Sequence, residues 1–230
     1  MTKTTTTSFF TRLIALVSGA ALTASVLFIL PGHAQNRFSN PEKTVEDIFW
    51  GKLYKQGGNT FFCNKQFGQD SFLITQGYIY PLNRVRDALR CGTKSQCERN
   101  SEVYRHVASD LHNMVPIKSR IEMKRRNAGY GEMTSTAPKG ECGLKEGFQN
   151  IEPPDRIKGD VARGVVYVMD TYDLPAPGSN DVFKRWHQAD PPGDLELTRN
   201  QRIRELQGND NRFITNPDAM FDDSIWGDAS

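Results

Sequence analysis

The chain has 230 residues and a formal net charge of +2, with 29 basic against 27 acidic residues. A balance this close to neutral excludes nucleic-acid binding driven by net charge, so any such binding must come from a local cluster of cations. The length suffices for one folded domain and a targeting segment.

The N-terminal segment predicts a secretory signal peptide. Lys3 and Arg12 precede an uncharged apolar run over residues 13–30, and small residues occupy the −3 and −1 positions of a cleavage site after Ala34. The length of the apolar run also suits an uncleaved anchor, which is the alternative. Cleavage would remove two bases and no acid with residues 1–34, and would leave a formally neutral periplasmic or secreted protein.

The remainder predicts a mostly helical α+β fold with few strands. Asn40 suits an N-cap and Pro41 the first position of a helix that Gly57 ends. Residues 60–63 and 72–80 are rich in β-branched and aromatic residues and predict strands. Apolar residues at helical spacing, together with a basic helical segment, predict helices over residues 83–90, 102–113, 116–127, 161–172, 181–188 and 195–206.

One domain is predicted over residues 35–213. The segment 214–230 contains several aspartates and no base, which predicts an acidic disordered tail. The sequence contains no internal repeat.

Four cysteines lie in the predicted mature region, and an even count in an exported chain indicates disulfides. Cys91 and Cys97 enclose a short polar loop that a bridge could close, which leaves Cys63 and Cys142 to each other. Zinc is the competing interpretation, but no C-x-x-C pair is present and no histidine lies at ligand spacing beside a cysteine.

A series of motifs between residues 40 and 215 resembles the bacterial endonuclease I family. These are Thr60-Phe-Phe-Cys63, Leu89-Arg-Cys-Gly-Thr-Lys-Ser-Gln-Cys97, Ser109-Asp-Leu-His-Asn-Met-Val-Pro116, Lys158-Gly-Asp-Val-Ala-Arg163, Arg185-Trp-His-Gln-Ala-Asp-Pro-Pro192 and Gln207-Gly-Asn209. The resemblance implies an exported nuclease scaffold with a ββα-metal (His-Me finger) site. The family reaction it implies is divalent-metal-dependent, non-specific hydrolysis of phosphodiester bonds.

The resemblance also implies that the chemistry is altered. In the family, the strand corresponding to Thr75-Gln-Gly-Tyr-Ile-Tyr-Pro81 carries a metal-binding Glu and a His general base, where this chain has Gly77 and Tyr78. Glu122 falls on the family's Asn ligand and Arg125 on its Arg. Glycine has no side-chain ligand, and a tyrosine with a pKa near 10 is a poor base at neutral pH. Loss of a general base alone reduces the rate by about 10² to 10⁴.

Other polar residues have structural interpretations. Asp110, His112 and Asn113 are predicted to hydrogen-bond the neighbouring backbone and fix the finger. Trp186 is predicted in the core. Arg163 suits either the groove or an ion pair.

A run of cations indicates a nucleic-acid contact or, equally, a solvated helix face. Its members are Lys118, Arg120, Lys124, Arg125 and Arg126.

Three functions remain open from the sequence. The first is an exported, monomeric pseudonuclease that binds nucleic acid or a protein partner, makes no membrane contact after cleavage and needs no cofactor. The second is an active endonuclease whose rearranged site (Tyr78, Glu122 and Arg125) uses Mg²⁺ or another divalent cation. The third is an envelope structural protein that binds no nucleic acid.

Overall fold

The described residues fold mainly into helices with three small sheets, which confirms the predicted α+β class. The computed structural model describes residues 1–2, 36–69, 71–125 and 127–226. Apart from its first two residues, the predicted signal peptide, residues 1–34, lies outside these ranges. Within these ranges, no helix is both long and apolar enough to cross a bilayer.

The helices are α1 (Pro41–Lys43), continued by a π-helix (Thr44–Leu53), α2 (Leu82–Leu89), α3 (Lys94–Asn100), α4 (Glu102–Ala108), α5 (Ser119–Arg125), α6 (Lys158–Tyr172), α7 (Asn180–Ala189), α8 (Asp194–Gln207) and α9 (Arg212–Thr215). The strands are β1 (Gly58–Asn59), β2 (Gln66–Phe67), β3 (Ile74–Tyr78), β4 (Met114–Lys118), β5 (Gly129–Tyr130), β6 (Lys145–Glu146) and β7 (Asn150–Glu152). Strands β1 and β2 pair, β3 and β4 pair, and β7 lies between β5 and β6.

Helix α6 lies in the larger apolar cluster because most of its surface is apolar or small. Val161, Val165 and Val168 have no exposed surface. At Gly164, a Cβ atom would lie 2.7 Å from Cδ1 of Ile79, so the absence of a side chain lets α6 approach the end of β3 closely. The core thus supports the strand on which the candidate site is built.

The first helix begins as predicted, since the Asn40 side chain accepts a hydrogen bond from Lys43 N and Pro41 follows it. The π-helix packs on a smaller apolar cluster that includes Phe49, Leu53 and Met114.

Two of the predicted elements differ from the structure near β4. The predicted strand at residues 60–63 is a turn, because Asn64 adopts a left-handed conformation (φ 50°) and returns a hydrogen bond from its N to Thr60 O. The predicted helix at residues 116–127 begins only at Ser119. Residues 114–118 pair antiparallel with β3 instead, so sheet pairing overrides the local helical pattern.

Both predicted disulfides are confirmed, Cys63–Cys142 and Cys91–Cys97. The first joins chain positions 79 residues apart and fixes a loop beside β4. The second joins cysteines six positions apart, before α4.

A buried polar network fixes the end of the β3–β4 pair, as predicted. Asn113 accepts a hydrogen bond from Tyr80 N (2.7 Å). Asp110 has no exposed surface and accepts hydrogen bonds from His112 N, from the hydroxyls of Tyr167 and Tyr172 and from Gln207 Nε2, at 2.6–2.8 Å. The carboxylate therefore joins the turn before β4 to α6 and α8.

The prediction of a buried Trp186 is also confirmed, since it is 2% exposed. Arg163 is structural rather than part of a groove. It has no exposed surface and pairs with Asp160 (2.9 Å) and Glu196 (2.6 Å). Gly208 ends α8 with a positive φ of 98°, which suits a glycine C-cap.

The prediction of a disordered tail from residue 214 is wrong as far as Trp226. After α9 the chain forms two 3₁₀ turns, Pro217–Phe221 and Asp223–Trp226. Phe213 and Met220 have no exposed surface and join the core, while Asp218 between them and Asp222 and Asp223 after them face solvent. Widely spaced apolar side chains thus hold a segment whose average composition is polar.

Candidate functional site

Strands β3 and β4 and helix α5 form a ββα unit around the substituted residues. The antiparallel register places Gly77 opposite Val115 and Tyr78 opposite Met114. Leu73 O accepts hydrogen bonds from both the backbone N and the hydroxyl of Ser119, so the start of α5 is fixed to the start of β3. The helix consequently lies across the strand that carries Gly77.

Gly77 faces α5, and the space beside it is already filled. A Cβ atom at Gly77 would lie 2.6 Å from Oε2 of Glu122, 2.9 Å from Cγ2 of Ile117 and 3.1 Å from Nη2 of Arg125. A side chain could not be accommodated without movement of these groups. Positions 77 and 122, which the motif alignment assigns to the two metal ligands of the family, are therefore adjacent. Here the carboxylate comes from helix α5 instead of strand β3.

Arg125 is a buried connector with 1% of its surface exposed. Its Nε donates to Glu122 Oε2 (2.9 Å), its Nη2 donates to Tyr78 O, and its Nη1 lies 3.4 Å from the hydroxyl of Tyr130. Its guanidinium also stacks 5.1 Å from the ring centre of Phe62. The charge of Arg125 is thus directed at the protein's own backbone and side chains.

Tyr78 is held as a neutral phenol. Burial raises its pKa well above 10, because the phenolate would be poorly solvated there, and the negative charge of Glu122 adds to the effect. Its hydroxyl donates to Ala108 O (3.2 Å), and its ring packs against the smaller apolar cluster. A phenol in these surroundings does not accept a proton from water at neutral pH.

These residues line a cleft of about 520 Å³. The lining includes Tyr78, Glu122 and Arg125, together with Arg86, Lys94 and Tyr104. Arg86 and Lys94 were not singled out from the sequence. The only available signal was the position of Lys94 in the cysteine loop and of Arg86 on the helix before it. A separate cleft of about 550 Å³ between the π-helix, α6 and α8 is lined by His112 but by none of the residues predicted for catalysis, metal binding or nucleic-acid binding.

The predicted cationic patch is mostly paired with acids. Glu141 lies 3.0 Å from Lys118 Nζ and 2.8 Å from Arg120 Nη2, and Glu146 lies 3.1 Å from Lys124 Nζ. The fourth predicted member, Arg125, is buried, and Arg126 lies outside the described residues. The segment that carries the two glutamates lies more than a dozen residues beyond α5, where sequence reasoning did not connect it with the patch.

Among the described residues, the acidic side chain beside Gly77 is Glu122. Glu122 supplies the carboxylate, and its Oε2 is in an ion pair with Arg125. In the described part of the chain, no three His, Cys, Asp or Glu side chains converge as a metal site would require. Hard divalent cations favour several oxygen ligands, and carboxylates contribute most strongly to their binding.

Comparison with known proteins finds nucleases. The family model for Endonuclease I matches residues 80–218. Over 205 residues the chain is 32% identical to an endonuclease-1 of Buchnera aphidicola subsp. Acyrthosiphon pisum (strain APS), covering 75% of this chain and 82% of that protein. It is 26% identical to a periplasmic deoxyribonuclease of Aeromonas hydrophila, over 71% of this chain and 81% of that one. It is 27% identical to an extracellular deoxyribonuclease of Aeromonas hydrophila, over 84% and 95%.

Proposed function

Because this chain belongs to the endonuclease I family, we propose that it is an exported nucleic-acid-binding protein whose phosphodiester-cleaving activity is lost or severely reduced. The protein is periplasmic or secreted: its two disulfides suit an oxidising compartment, and similar proteins are named as periplasmic or extracellular deoxyribonucleases. Family nucleases generally depend on a divalent metal.

The observation that carries the loss of activity is the contact at Gly77. The place of a strand side chain is taken by Glu122, whose carboxylate is neutralised by the buried Arg125. Tyr78 adds to this, since its raised pKa leaves no general base at that position. Metal-assisted hydrolysis requires both an ion and an activated water, and the two substitutions affect both requirements.

Nucleic-acid binding is supported by the cleft and its cations. Arg86 and Lys94 line the cleft together with Tyr78. Lys118 ends β4, and Arg120 and Lys124 lie on α5, the helix that contributes Glu122 and Arg125 to the cleft lining. Contacts with phosphate of this kind are insensitive to sequence and weaken steeply with salt. We therefore expect weak binding to short duplexes, with a Kd of roughly 10⁻⁴ to 10⁻⁶ M at physiological salt.

One observation favours a second candidate, an active endonuclease with a rearranged site. The helix places the Glu122 carboxylate within 2.6 Å of where a Cβ of residue 77 would lie, so an acid is still present at this point of the cleft. Such a site would use Mg²⁺ or another divalent cation, Glu122 and Arg125, with Tyr78 beside them.

A plasmid-nicking assay of the mature protein with Mg²⁺, Mn²⁺ or Ca²⁺ distinguishes the two candidates. No nicking above background is expected, together with salt-sensitive binding of a labelled duplex in fluorescence anisotropy. Metal-dependent nicking that disappears in Glu122→Ala would establish the rearranged enzyme. Absence of both cleavage and binding at low salt would leave the envelope structural role.

A further inference from the structure

We propose that residues 141–146, which we call the strap, compete with nucleic-acid phosphates for the cations of β4 and α5 and so limit the affinity of this surface. This inference rests on the proposed nucleic-acid binding. It concerns the part of the surface that the strap covers, and it assigns an inhibitory role to two acids, Glu141 and Glu146.

The strap places carboxylates where phosphates would have to bind. The two oxygens of Glu141 contact different cations, Lys118 Nζ at 3.0 Å and Arg120 Nη2 at 2.8 Å. Glu146 contacts Lys124 Nζ at 3.1 Å. Each described exposed cation of this surface is therefore matched with a strap carboxylate at hydrogen-bond distance, which is the arrangement a phosphate backbone would otherwise make.

The strap is held in place independently of these ion pairs. Cys142 is joined to Cys63, Leu144 is 1% exposed in the core, and β6 at the end of the strap pairs antiparallel with β7. A carboxylate fixed beside its cation competes as an intramolecular ligand, with an effective concentration that free polyanions must overcome.

The pairs are also exchangeable. Arg120 is 75% exposed and Lys124 is 48% exposed, and ion pairs at such positions contribute little to folding stability. Glu141 is charged at neutral pH, because the hydrogen bond from Lys118 and then the one from Arg120 lower its pKa despite partial desolvation. The strap acids therefore repel phosphate through their negative charge, and their replacement should change the folding stability little.

The test is the double variant Glu141→Gln/Glu146→Gln, which keeps shape and removes two negative charges. Its matched control is Asp155→Asn/Asp223→Asn, which removes two exposed acids paired with Lys158 (2.7 Å) and Lys184 (3.1 Å). Binding of a fluorescein-labelled 20-base-pair duplex is measured by anisotropy over a salt series, without divalent cations, and thermal unfolding is recorded for each protein.

We expect the strap variant to bind about tenfold more tightly than the wild type at low salt, since three weak pairs no longer compete. Its salt dependence should be steeper by about one to three units, one for each cation released to phosphate. The control should change binding by less than about threefold, through net charge alone.

Three results would overturn the inference. If the wild type binds and the strap variant gains no more than the control, the strap is structural only and the proposed function survives. If neither protein binds the duplex at low salt, both the inference and the proposed function are refuted. A fall in melting temperature of the strap variant without a gain in affinity would likewise assign the glutamates to stability.

Discussion

Restoration of a glutamate at position 77 should fail unless Glu122 is replaced at the same time. In Gly77→Glu, a second carboxylate enters a space where a Cβ already lies 2.6 Å from Glu122 Oε2. In Gly77→Glu/Glu122→Asn, a single carboxylate remains and Arg125 can pair with it. The same Cβ would lie 2.9 Å from Ile117 in both variants. This clash therefore does not contribute to the difference in stability between them.

The magnitude follows from the cost of relieving the repulsion. Two unit charges about 4 Å apart at an effective dielectric constant of 20 repel by about 4 kcal/mol. The protein can instead protonate one carboxylate, which for a glutamate of pKa about 4.3 costs about 3.7 kcal/mol at pH 7 and about 1 kcal/mol at pH 5. Gly77→Glu should therefore be less stable than Gly77→Glu/Glu122→Asn by up to about 3–4 kcal/mol at pH 7, and by about 1 kcal/mol at pH 5.

Urea unfolding of both variants at the two pH values measures this difference directly. The catalytic counterpart is Mg²⁺-dependent plasmid nicking with Tyr78→His added to each. Only the variant that also carries Glu122→Asn should gain activity. Equal stability of the two variants at pH 7, or nicking by the variant that retains Glu122, would refute the argument that Glu122 occupies the space of the missing strand acid.

Three further outcomes are expected. Arg125→Met should lower the free energy of unfolding by about 3–5 kcal/mol, because a buried charge pair loses one partner. The control Arg120→Met should change it by less than about 0.5 kcal/mol. Urea titration of both variants measures the difference. Removal of the Cys63–Cys142 disulfide, whose cysteines are 79 positions apart, should lower the free energy of unfolding by about 4–5 kcal/mol in the chain-entropy account. Removal of Cys91–Cys97, with a separation of 6, should lower it by under about 3 kcal/mol. Equal melting temperatures of the two Cys→Ala double variants would contradict this. Burial lowers the pKa of His112 from 6.5 to about 4, so below pH 6.5 the unfolded chain binds a proton that the folded protein excludes. The free energy of unfolding should therefore fall by about 2–3 kcal/mol as the pH drops from 6.5 towards 4. The His112→Asn variant should lack that part of the pH dependence.

Helices could be predicted because their apolar periodicity is local in the sequence, and disulfides because the number and spacing of the cysteines limit the pairings. The periodic apolar residues of α6, α7 and α8 predict those helices to within a few residues of the observed bounds. The pairing of Cys63 with Cys142 follows once the short loop between the other two cysteines is closed. These features depend on spacing along the chain.

The site could be predicted only in part, because its important contacts link distant positions. The register of the motifs places Glu122 near Gly77, and the structure brings the two together. No local pattern reveals that Glu141 and Glu146 pair with the cations of α5, since the turn and sheet that position them are tertiary features. Burial of Arg125 is likewise invisible in a run of basic residues, where each cation has the same sequence signal.

The buried carboxylate of Asp110 determines whether the ββα unit of β3, β4 and α5 can be treated as a separable module. Its hydrogen-bond donors Tyr167, Tyr172 and Gln207 all come from helices more than fifty residues further along the chain. A fragment that ended before α6 would lose these donors, and burying the Asp110 carboxylate in another scaffold without them would leave an unsatisfied charge, which opposes folding strongly. Transplanting the ββα unit into another scaffold would therefore require α6 and α8 to be transplanted as well.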